Sequence, residues 1–249
     1  MLSFSRGVLI TALVAGLGFA SSAMAQDINK SEVEKIIEDY IMNNPQVILQ
    51  SVNDYQTEGV AQQQQAGITS NTRKIFQNEM SPIAGNPNGD ITVVEFFDYN
   101  CGYCKRVVDD LNKLAQTDEN VKIIYKEFPI LGPTSETAAR WALAAANQDK
   151  YIPFHTALMK SSGRIDESVL ERIGKDLSLD VEKLRTEAQS DTITDYLAEN
   201  RQLAQELSIT GTPGFIIEDE IYPGAVQYDT MTEIIAEKRA EKADNKAED

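Results

Sequence analysis

Two cysteines three positions apart, Cys101 and Cys104, constrain this chain more than any other feature, and they are the only cysteines among its 249 residues. The segment before them, 91–97, is an apolar run rich in β-branched and aromatic residues, which predicts a buried strand. The segment after them, 105–115, carries apolar residues at helical spacing. The sequence therefore predicts that the cysteines lie where a buried strand leads into a helix.

The start of a helix favours a thiolate on Cys101, because the first backbone amides have no partner within the helix and the helix dipole is positive there. The thiolate is the reactive form of cysteine. Cys104 lies one helical turn further, at a separation that a disulfide can span. We expect the pair to cycle between dithiol and disulfide, with Cys101 attacking and Cys104 resolving, and to need no cofactor beyond this disulfide.

Other uses of a cysteine pair stay open at this stage. They are a structural disulfide, half of a zinc site, an inert thiol pair, a Cu(I) site built from two soft thiolates, and a peptidase-like Cys/His nucleophile. A disulfide that closes so short a loop adds little stability, and a four-ligand zinc site needs partners when His155 is the only histidine. His155 follows Phe154, where a packed or surface histidine is the ordinary explanation. No metal ligands are predicted.

The N-terminus has the pattern of a secretory signal peptide over residues 1–25. Arg6 supplies the positive charge, residues 8–20 are apolar, and Ala23-Met24-Ala25 is a small-residue cleavage site that ends at Ala25. We therefore expect an exported protein. The formal net charge of −16 argues against nucleic acid or anionic lipid as a partner.

The N-terminal region 26–58 predicts two short amphipathic helices, interrupted at Asn43-Asn44-Pro45. Residues 59–78 are predominantly polar and predict a linker, with a solvated helix as the alternative over 59–73. Two short helices cannot form much of a core alone, so their apolar faces need another surface. We expect self-association through residues 27–58; the alternative is that these helices fold back on the main domain.

Residues 79–240 predict an α/β domain. A second strand at 121–128 completes a strand-helix-strand unit with parallel strands, and a helical region at 134–207 contains no strand signal. A hairpin follows around Glu218 and Asp219, then a helix over 229–237, and the charged tail 241–249 is expected to fray. This order of elements predicts a thioredoxin fold with an inserted helical domain, preceded by a helical N-terminal extension.

The second informative motif is Thr212-Pro213, in which a proline opens a strand after a glycine-containing turn, and Pro213 is predicted to be cis. Three segments in this order resemble the DsbA-type periplasmic thiol:disulfide oxidoreductases over residues 81–238. They are Glu95-Phe96-Phe97 before Cys101-Gly102-Tyr103-Cys104, the segment Tyr151-Ile152-Pro153-Phe154-His155, and Gly211-Thr212-Pro213-Gly214-Phe215.

The resemblance implies roles for residues around the dithiol. The backbone of Thr212 and Pro213 would pair with an extended substrate segment beside Cys101, which suits an enzyme that accepts many unfolded chains. Glu95 matches a buried acidic residue that assists proton movement at Cys104; the alternative is an exposed carboxylate at a strand end. The protein would act in the periplasm on unfolded or misoxidised envelope proteins and would be reset by a membrane redox partner.

The dipeptide between the cysteines tunes the pair and departs from the best-known oxidase of this type. Gly102-Tyr103 stands where that enzyme has Pro-His, so no imidazole is available to stabilise the thiolate. The cations Lys105 and Arg106 either help to stabilise the thiolate or are merely solvated. We therefore expect a less oxidising protein, because thiolate stability sets the reduction potential.

The extension at residues 28–55 resembles that of ScsC-type proteins and the similar Com1-type envelope proteins. Some of that group trimerise through this region and act as disulfide isomerases, and the group is associated with copper tolerance. This resemblance implies a homo-oligomer, with a trimer favoured, that works as a disulfide isomerase or reductase. The alternatives are a dithiol oxidase and a copper-binding protein that uses the same cysteines. Localisation would be periplasmic, with peripheral association with the envelope as an option.

Overall fold

The computed structural model of the chain describes residues 29–248. These residues belong to two compact units that divide between Asp54 and Tyr55. The predicted signal peptide, 1–25, lies outside the described residues. Within 29–248, no helix combines the length and the apolar character needed to cross a bilayer.

The first unit contains helix α1 (Lys30–Asn43) and the beginning of helix α2 (Pro45–Ser70). The Asn29 side chain caps α1 by accepting a hydrogen bond from the Ser31 amide at 3.2 Å. The break falls where the sequence predicts it, with α1 ending at Asn43 and Pro45 opening α2. No residue of α1 is buried.

The segment predicted as a polar linker, 59–78, is largely helical. Helix α2 continues to Ser70, and a short helix α3 (Thr72–Phe76) follows. Ile68 and Ile75 are buried in a cluster that also contains Phe96. The structure differs from a linker here because two isoleucines, seven positions apart, lie on one face of a segment that is otherwise mainly polar.

The second unit is built on a five-stranded sheet with the strand order β1-β3-β2-β4-β5. The strands are β1 (Ile83–Gly85), β2 (Ile91–Phe97), β3 (Val121–Glu127), β4 (Gly214–Ile217) and β5 (Glu220–Pro223). Strands β2 and β3 are parallel, whereas the other neighbouring pairs are antiparallel. The predicted parallel unit and the predicted β4-β5 hairpin are both present.

The remaining helices are α4 (Gly102–Thr117), α5 (Pro133–Ala146), α6 (Tyr151–Lys160), α7 (Glu167–Asp176), α8 (Val181–Glu187), α9 (Asp191–Glu206) and α10 (Tyr228–Glu248). Helices α5 to α9 separate β3 from β4 in the chain, as expected for the helical insertion. The thioredoxin fold with an inserted helical domain is therefore confirmed.

Helix α10 continues to Glu248, through most of the charged segment 241–249 for which the sequence predicts fraying; Asp249 lies outside the described residues. The extra turns of α10 carry cations that meet acidic groups of the domain. Arg239 donates to the carboxylates of Asp90 and Asp118, and Lys242 donates to the Asp90 carbonyl at 2.6 Å. The sequence showed only a charged segment, since its partners lie more than 100 positions away.

Both faces of the sheet are covered, and the face that carries the cysteines matters for function. Along β2, Val93 and Phe97 belong to the cluster that contains Cys101 and Cys104, whereas Val94 and Phe96 belong to a second cluster. This alternation follows from the two-residue period of a strand. We call the side of Val93 and Phe97 the cysteine face.

Candidate active site at the start of helix α4

Cys101 is the N-cap of helix α4, and its sulfur accepts a hydrogen bond from the Cys104 amide at 3.2 Å. The backbone of Cys101 is extended, with φ −75° and ψ 114°, so strand β2 and a short connection lead directly into the helix. A thiolate at this position receives amide donors that the helix itself leaves unpaired. The predicted location of the pair, between a buried strand and a helix, is confirmed.

The two cysteines differ in ionisation. The pKa of Cys101 is lowered to about 6, mainly by donation from the Cys104 thiol and also by the backbone amides of Cys104 and Tyr103, although burial opposes this. Burial raises the pKa of Cys104 far above its usual value, and the sulfur of Cys101 and the carboxylate of Glu95 add to this effect. Cys101 is therefore suited to attack, and Cys104 is held as a thiol.

The Thr212-Pro213 motif lies against Cys101, 111 positions away in sequence. The Thr212–Pro213 peptide is cis, as predicted. The Cys101 thiol donates to the Thr212 carbonyl at 3.2 Å. Pro213 is buried just before β4, and its carbonyl accepts from the Gly224 amide at 2.9 Å. The fold thus brings together the two motifs that the sequence analysis singled out.

Glu95 is buried on the cysteine face and is not exposed at a strand end. It pairs in register with Tyr125 on β3 and with Phe215 on β4. Burial, together with the charges of Cys101 and Glu127, raises the pKa of Glu95 well above its usual value. Its Oε1 atom has no hydrogen-bond partner among the described residues. The charge of Glu95 in turn contributes to the raised pKa of Cys104, so the two groups are electrostatically linked.

Gly102 and Tyr103 lie on the exposed side of the motif. The guanidinium of Arg106 stacks over the Tyr103 ring, 4.1 Å from its centroid, and Lys105 donates to the Ser161 carbonyl at 2.8 Å. Both cations therefore have partners other than the Cys101 sulfur. A Cβ atom at Gly102 would meet nothing within 4 Å, so steric exclusion does not explain this glycine.

His155 is buried in the core, and its Nδ1 atom lies 3.1 Å from the Tyr99 hydroxyl. Burial lowers the pKa of His155 to about 3, so the imidazole is neutral at physiological pH. The partner of the imidazole is a tyrosine and not a thiol. This geometry gives no support to the Cys/His nucleophile considered from the sequence.

Sequence reasoning missed a buried polar group next to the motif. The Tyr99 and Tyr151 hydroxyls both donate to Glu127 Oε1, at 2.8 and 2.7 Å. A signal was available, because Lys126 and Glu127 place two charges at the end of an apolar strand that is covered on both faces. Charged residues in such a strand predict buried groups with specific partners.

Comparison with known proteins agrees with this site. Residues 92–236 match the family model of the DSBA-like thioredoxin domain, and residues 29–66 match that of the copper resistance protein ScsC N-terminal domain. The curated relatives first matched, Na(+)/H(+) antiporters NhaA from Salinispora, are 24% identical over 152 residues, and the chain spans about a quarter of their length (23%). The antiporter activity of these relatives is therefore not transferred to this chain.

Solved structures support the same grouping. A thioredoxin-like oxidoreductase from Silicibacter pomeroyi DSS-3 is 42% identical, with 68% of this chain and 97% of that chain covered and a TM-score of 0.66. The thiol-disulfide exchange protein alpha-DsbA2 from Wolbachia pipientis is 29% identical, with 71% and 96% covered and a TM-score of 0.67. A linker-deletion mutant of Proteus mirabilis ScsC is 27% identical, with 89% and 100% covered and a TM-score of 0.69. The chain therefore belongs to the DsbA-like thioredoxin family of thiol:disulfide oxidoreductases and carries an N-terminal region of the ScsC type.

Proposed function

We propose that this protein exchanges disulfides with exported client proteins in the periplasm, as an isomerase or reductase that uses Cys101 and Cys104. The observation that carries this proposal is the position of the Cys101 sulfur, within 3.2 Å of both the Cys104 amide and the Thr212 carbonyl. A periplasmic location is supported by a structural relative from Salmonella enterica serovar Typhimurium, described as a periplasmic thioredoxin-like protein.

The reaction begins when the Cys101 thiolate attacks a client disulfide. A bond forms between Cys101 and one client sulfur, and the other client sulfur leaves as a thiolate. That thiolate either attacks a second disulfide of the client or is protonated. In the first case the client thiolate that is set free attacks the client sulfur bonded to Cys101, so that the client leaves with rearranged disulfides and Cys101 leaves as a thiolate. In the second case the proton of Cys104 passes to Glu95 in its ionised form, and the Cys104 thiolate attacks the Cys101 sulfur. The client then leaves with both sulfurs reduced, and the enzyme is left with the Cys101–Cys104 disulfide, which a membrane redox partner would reduce again.

Client recognition combines backbone pairing with apolar contact. The backbone of Thr212 beside Cys101 is available to pair with an extended client segment. Such pairing recognises the main chain of the client and not its side chains. Tyr103, Ile130 and Leu131 are exposed apolar side chains of the same region. The amides of Ile130 and Leu131 donate to the Asp98 carboxylate at 2.8 and 2.9 Å, which fixes their loop next to the segment that leads to Cys101.

Self-association would occur through α1 and the start of α2. On α1, Ile36, Ile37 and Tyr40 form one stripe and are each more than half exposed. The first part of α2 adds the exposed apolar residues Val47, Ile48, Leu49, Val52 and Tyr55. Such a face is covered when copies of the same chain pack together, and we favour a trimer. Several active sites around one client would raise the effective concentration of thiolate and favour isomerisation.

The test is reactivation of scrambled ribonuclease A by the mature protein and by two matched variants. Ile37→Asp places a charge in the apolar stripe of α1, whereas Met42→Asp places the same charge on the opposite side of that helix, also at an exposed apolar residue. We expect Ile37→Asp to lower the mass measured by light scattering and to abolish reactivation, while insulin reduction is retained. Met42→Asp should behave like the wild type.

Two outcomes would contradict the proposal in different ways. A mature wild-type protein that is monomeric at micromolar concentration would exclude self-association. A trimer that oxidises reduced ribonuclease but does not reactivate the scrambled form would favour the dithiol oxidase instead. Titration of the reduced protein with Cu(I) addresses the remaining alternative, because two soft thiolates can bind this ion. Tight Cu(I) binding without disulfide turnover would favour a copper-binding role.

A further inference from the structure

Four buried residues form a polar cluster that the reaction described above does not use: Tyr99, Glu127, Tyr151 and His155. We call it the Glu127 cluster. Glu127 Oε1 accepts from Tyr99 at 2.8 Å and from Tyr151 at 2.7 Å, and the Tyr99 hydroxyl also contacts His155 Nδ1 at 3.1 Å. All four side chains are buried. A buried hydrogen-bond network costs free energy unless its geometry is well defined. The bonds of the Glu127 cluster therefore hold its four side chains in place.

Tyr99 connects this cluster to the dithiol. It lies two positions before Cys101, and the Cys101 amide donates to the carbonyl of Asp98 at 3.0 Å. The segment 98–101 is thus held on one side by the Asp98 carboxylate, which accepts from the amides of Ile130 and Leu131, and on the other by the bond from Tyr99 to Glu127. Movement of Tyr99 would shift the Cys101 sulfur relative to the Cys104 amide.

Glu127 also acts on the site through its charge. Phe97 and Glu127 are register partners, as are Glu95 and Tyr125, so all four side chains point to the cysteine face. Glu95 and Glu127 are therefore diagonal neighbours across two parallel strands. The charge of Glu127 contributes to the raised pKa of Glu95. A proton gained or lost by one carboxyl changes the affinity of the other for a proton.

The number of protons that the cluster holds decides which group donates in each of its hydrogen bonds. Tyr99 has a single hydroxyl proton and donates it to Glu127, so His155 must carry its proton on Nδ1 and donate it to the Tyr99 oxygen. Glu127 Oε2 and His155 Nε2 have no partner among the described residues. Glu127 can consequently gain or lose a proton on Oε2 while Oε1 keeps both tyrosine bonds.

We propose that Glu127 is a positioning residue of the dithiol, which acts on Cys101 through Tyr99 and on Glu95 through its charge. This inference rests on the proposed roles of Cys101, Cys104 and Glu95. Burial raises the pKa of Glu127 to about 8, although both tyrosine hydroxyls oppose this. The charge of Glu127 therefore changes in the pH range in which thiol–disulfide exchange is measured. The titratable groups around it are Glu95, Asp98 and Tyr99 from β2 and the segment after it, Tyr125 from β3, Tyr151 and His155 from α6, and Tyr196 from α9.

The experiment compares three variants of the full mature chain. Tyr99→Phe and Tyr151→Phe each remove one hydroxyl donor from the same carboxylate oxygen, but only Tyr99 belongs to the segment that leads to Cys101. Glu127→Gln keeps an oxygen acceptor for both hydroxyls and removes the charge. The readouts are the pH dependence of thiolate absorbance at 240 nm and the equilibrium constant with glutathione.

We expect Tyr99→Phe to raise the pKa of Cys101 by about half a unit, so that its thiolate fraction at pH 5 falls by about threefold. Tyr151→Phe should lose similar stability and leave both readouts unchanged. In the wild type, loss of the Glu127 proton should add a smaller second inflection near pH 8 to the thiolate titration, and Glu127→Gln should abolish it. If Glu127→Gln does not fold, the two tyrosine variants still decide the positioning role.

The inference is overturned if folded Tyr99→Phe and Glu127→Gln both titrate like the wild type, or if Tyr99→Phe and Tyr151→Phe have equal effects on Cys101. A failure of the proposed function looks different. In that case the wild-type Cys101 itself would show no thiolate below pH 8 and no exchange with glutathione.

Discussion

The Cys104 amide donates to the sulfur of Cys101 at 3.2 Å, so the residue that caps helix α4 is also the nucleophile candidate of the site. This single contact both caps the helix and stabilises the thiolate form of Cys101. The helix needs an acceptor for its first amides, and a thiolate is a good acceptor. Cys104 occupies the first turn of the helix that Cys101 caps, which gives the two sulfurs different environments.

Alkylation should distinguish the two thiols of the reduced protein. The pKa of Cys101 is lowered to about 6, so its reaction with iodoacetamide should rise tenfold per pH unit below about pH 6 and level off above it, apart from a smaller second inflection near pH 8 where Glu127 loses its proton. Cys104 should remain unmodified, because burial keeps it protonated. Peptide mapping after alkylation at several pH values measures both. A single inflection near the ordinary thiol value of about 8.5 would contradict this prediction.

Replacement of Cys104 by alanine should raise the pKa of Cys101, because the Cys104 thiol is the largest contributor to its lowered value. The amides of the helix start remain in this variant, so the pKa should stay below about 8.5, the value of a free thiol. Absorbance at 240 nm across pH 4 to 10 follows the thiolate directly. A pKa that does not change in Cys104→Ala would show that the backbone amides, and not the second thiol, dominate.

The reduction potential should be intermediate. DsbA has a thiol pKa of about 3.5 and a potential of about −120 mV. A pKa of about 6 for Cys101 is about 2.5 units higher, equivalent to about 3.4 kcal/mol or about 70 mV, which places this protein near −190 mV. Equilibration with glutathione measures this value. Tyr103→His, which adds an imidazole at an exposed position, should raise the potential, whereas a wild-type value as high as that of DsbA would refute the argument.

The fold and the dithiol were predictable because they depend on local patterns. Apolar periodicity around the cysteines indicated the strand and the helix, and the glycine-containing turn before Pro213 indicated a loop that opens a strand, whose position beside Cys101 was implied by the resemblance. Parallel pairing of β2 and β3 then follows from the right-handed connection through α4. These features need no knowledge of distant contacts.

The Glu127 cluster was not predictable in the same way. Its members come from β3, α6 and the segment that follows β2, and their bonds join residues 24 to 56 positions apart. Periodicity indicates that a strand is buried, but it does not say which partner satisfies a charge within it. The burial of Ile68 and Ile75 was missed for a related reason, since two apolar residues in a polar segment give only a weak signal.

Glu127 should make the stability of the protein fall as pH rises between about 4.5 and 8. Its pKa is raised to about 8 by burial, so over this range the folded state keeps a proton that the unfolded state has released. Stability relative to Glu127→Gln should therefore decrease by up to about 1.4 kcal/mol per pH unit. Urea unfolding at pH 5, 6 and 7 measures the difference. Glu119→Gln, at an exposed residue, is the control, and parallel curves for the wild type and Glu127→Gln would contradict the prediction.

Lys126 should stabilise the junction between α3 and the sheet. It is fully buried on the face opposite the cysteines, and its Nζ atom donates to the Lys74 carbonyl at 2.5 Å and to Ser81 Oγ at 2.7 Å. Lys126→Met keeps the apolar stem but removes the lysine donor from both acceptors, although Ser81 Oγ still accepts from the Tyr196 hydroxyl at 3.0 Å, so the free energy of unfolding should fall by about 2–3 kcal/mol. The matched control is Lys122→Met on the same strand, where a half-buried lysine reaches the Phe76 carbonyl at only 3.4 Å and the expected loss is about 0.5 kcal/mol.

The pH dependence of the free energy of unfolding is a second test of the contribution of Lys126. Burial lowers the pKa of Lys126 to about 8, so between pH 8 and about 10.5 the unfolded state holds a proton that the folded state has lost. Wild-type stability relative to Lys126→Met should therefore rise with pH over this range. Chemical unfolding at pH 7.5, 8.5 and 9.5 tests this. Equal losses for the two lysine variants would mean that the bonds of Lys126 to α3 and to Ser81 contribute no more than a partly exposed contact.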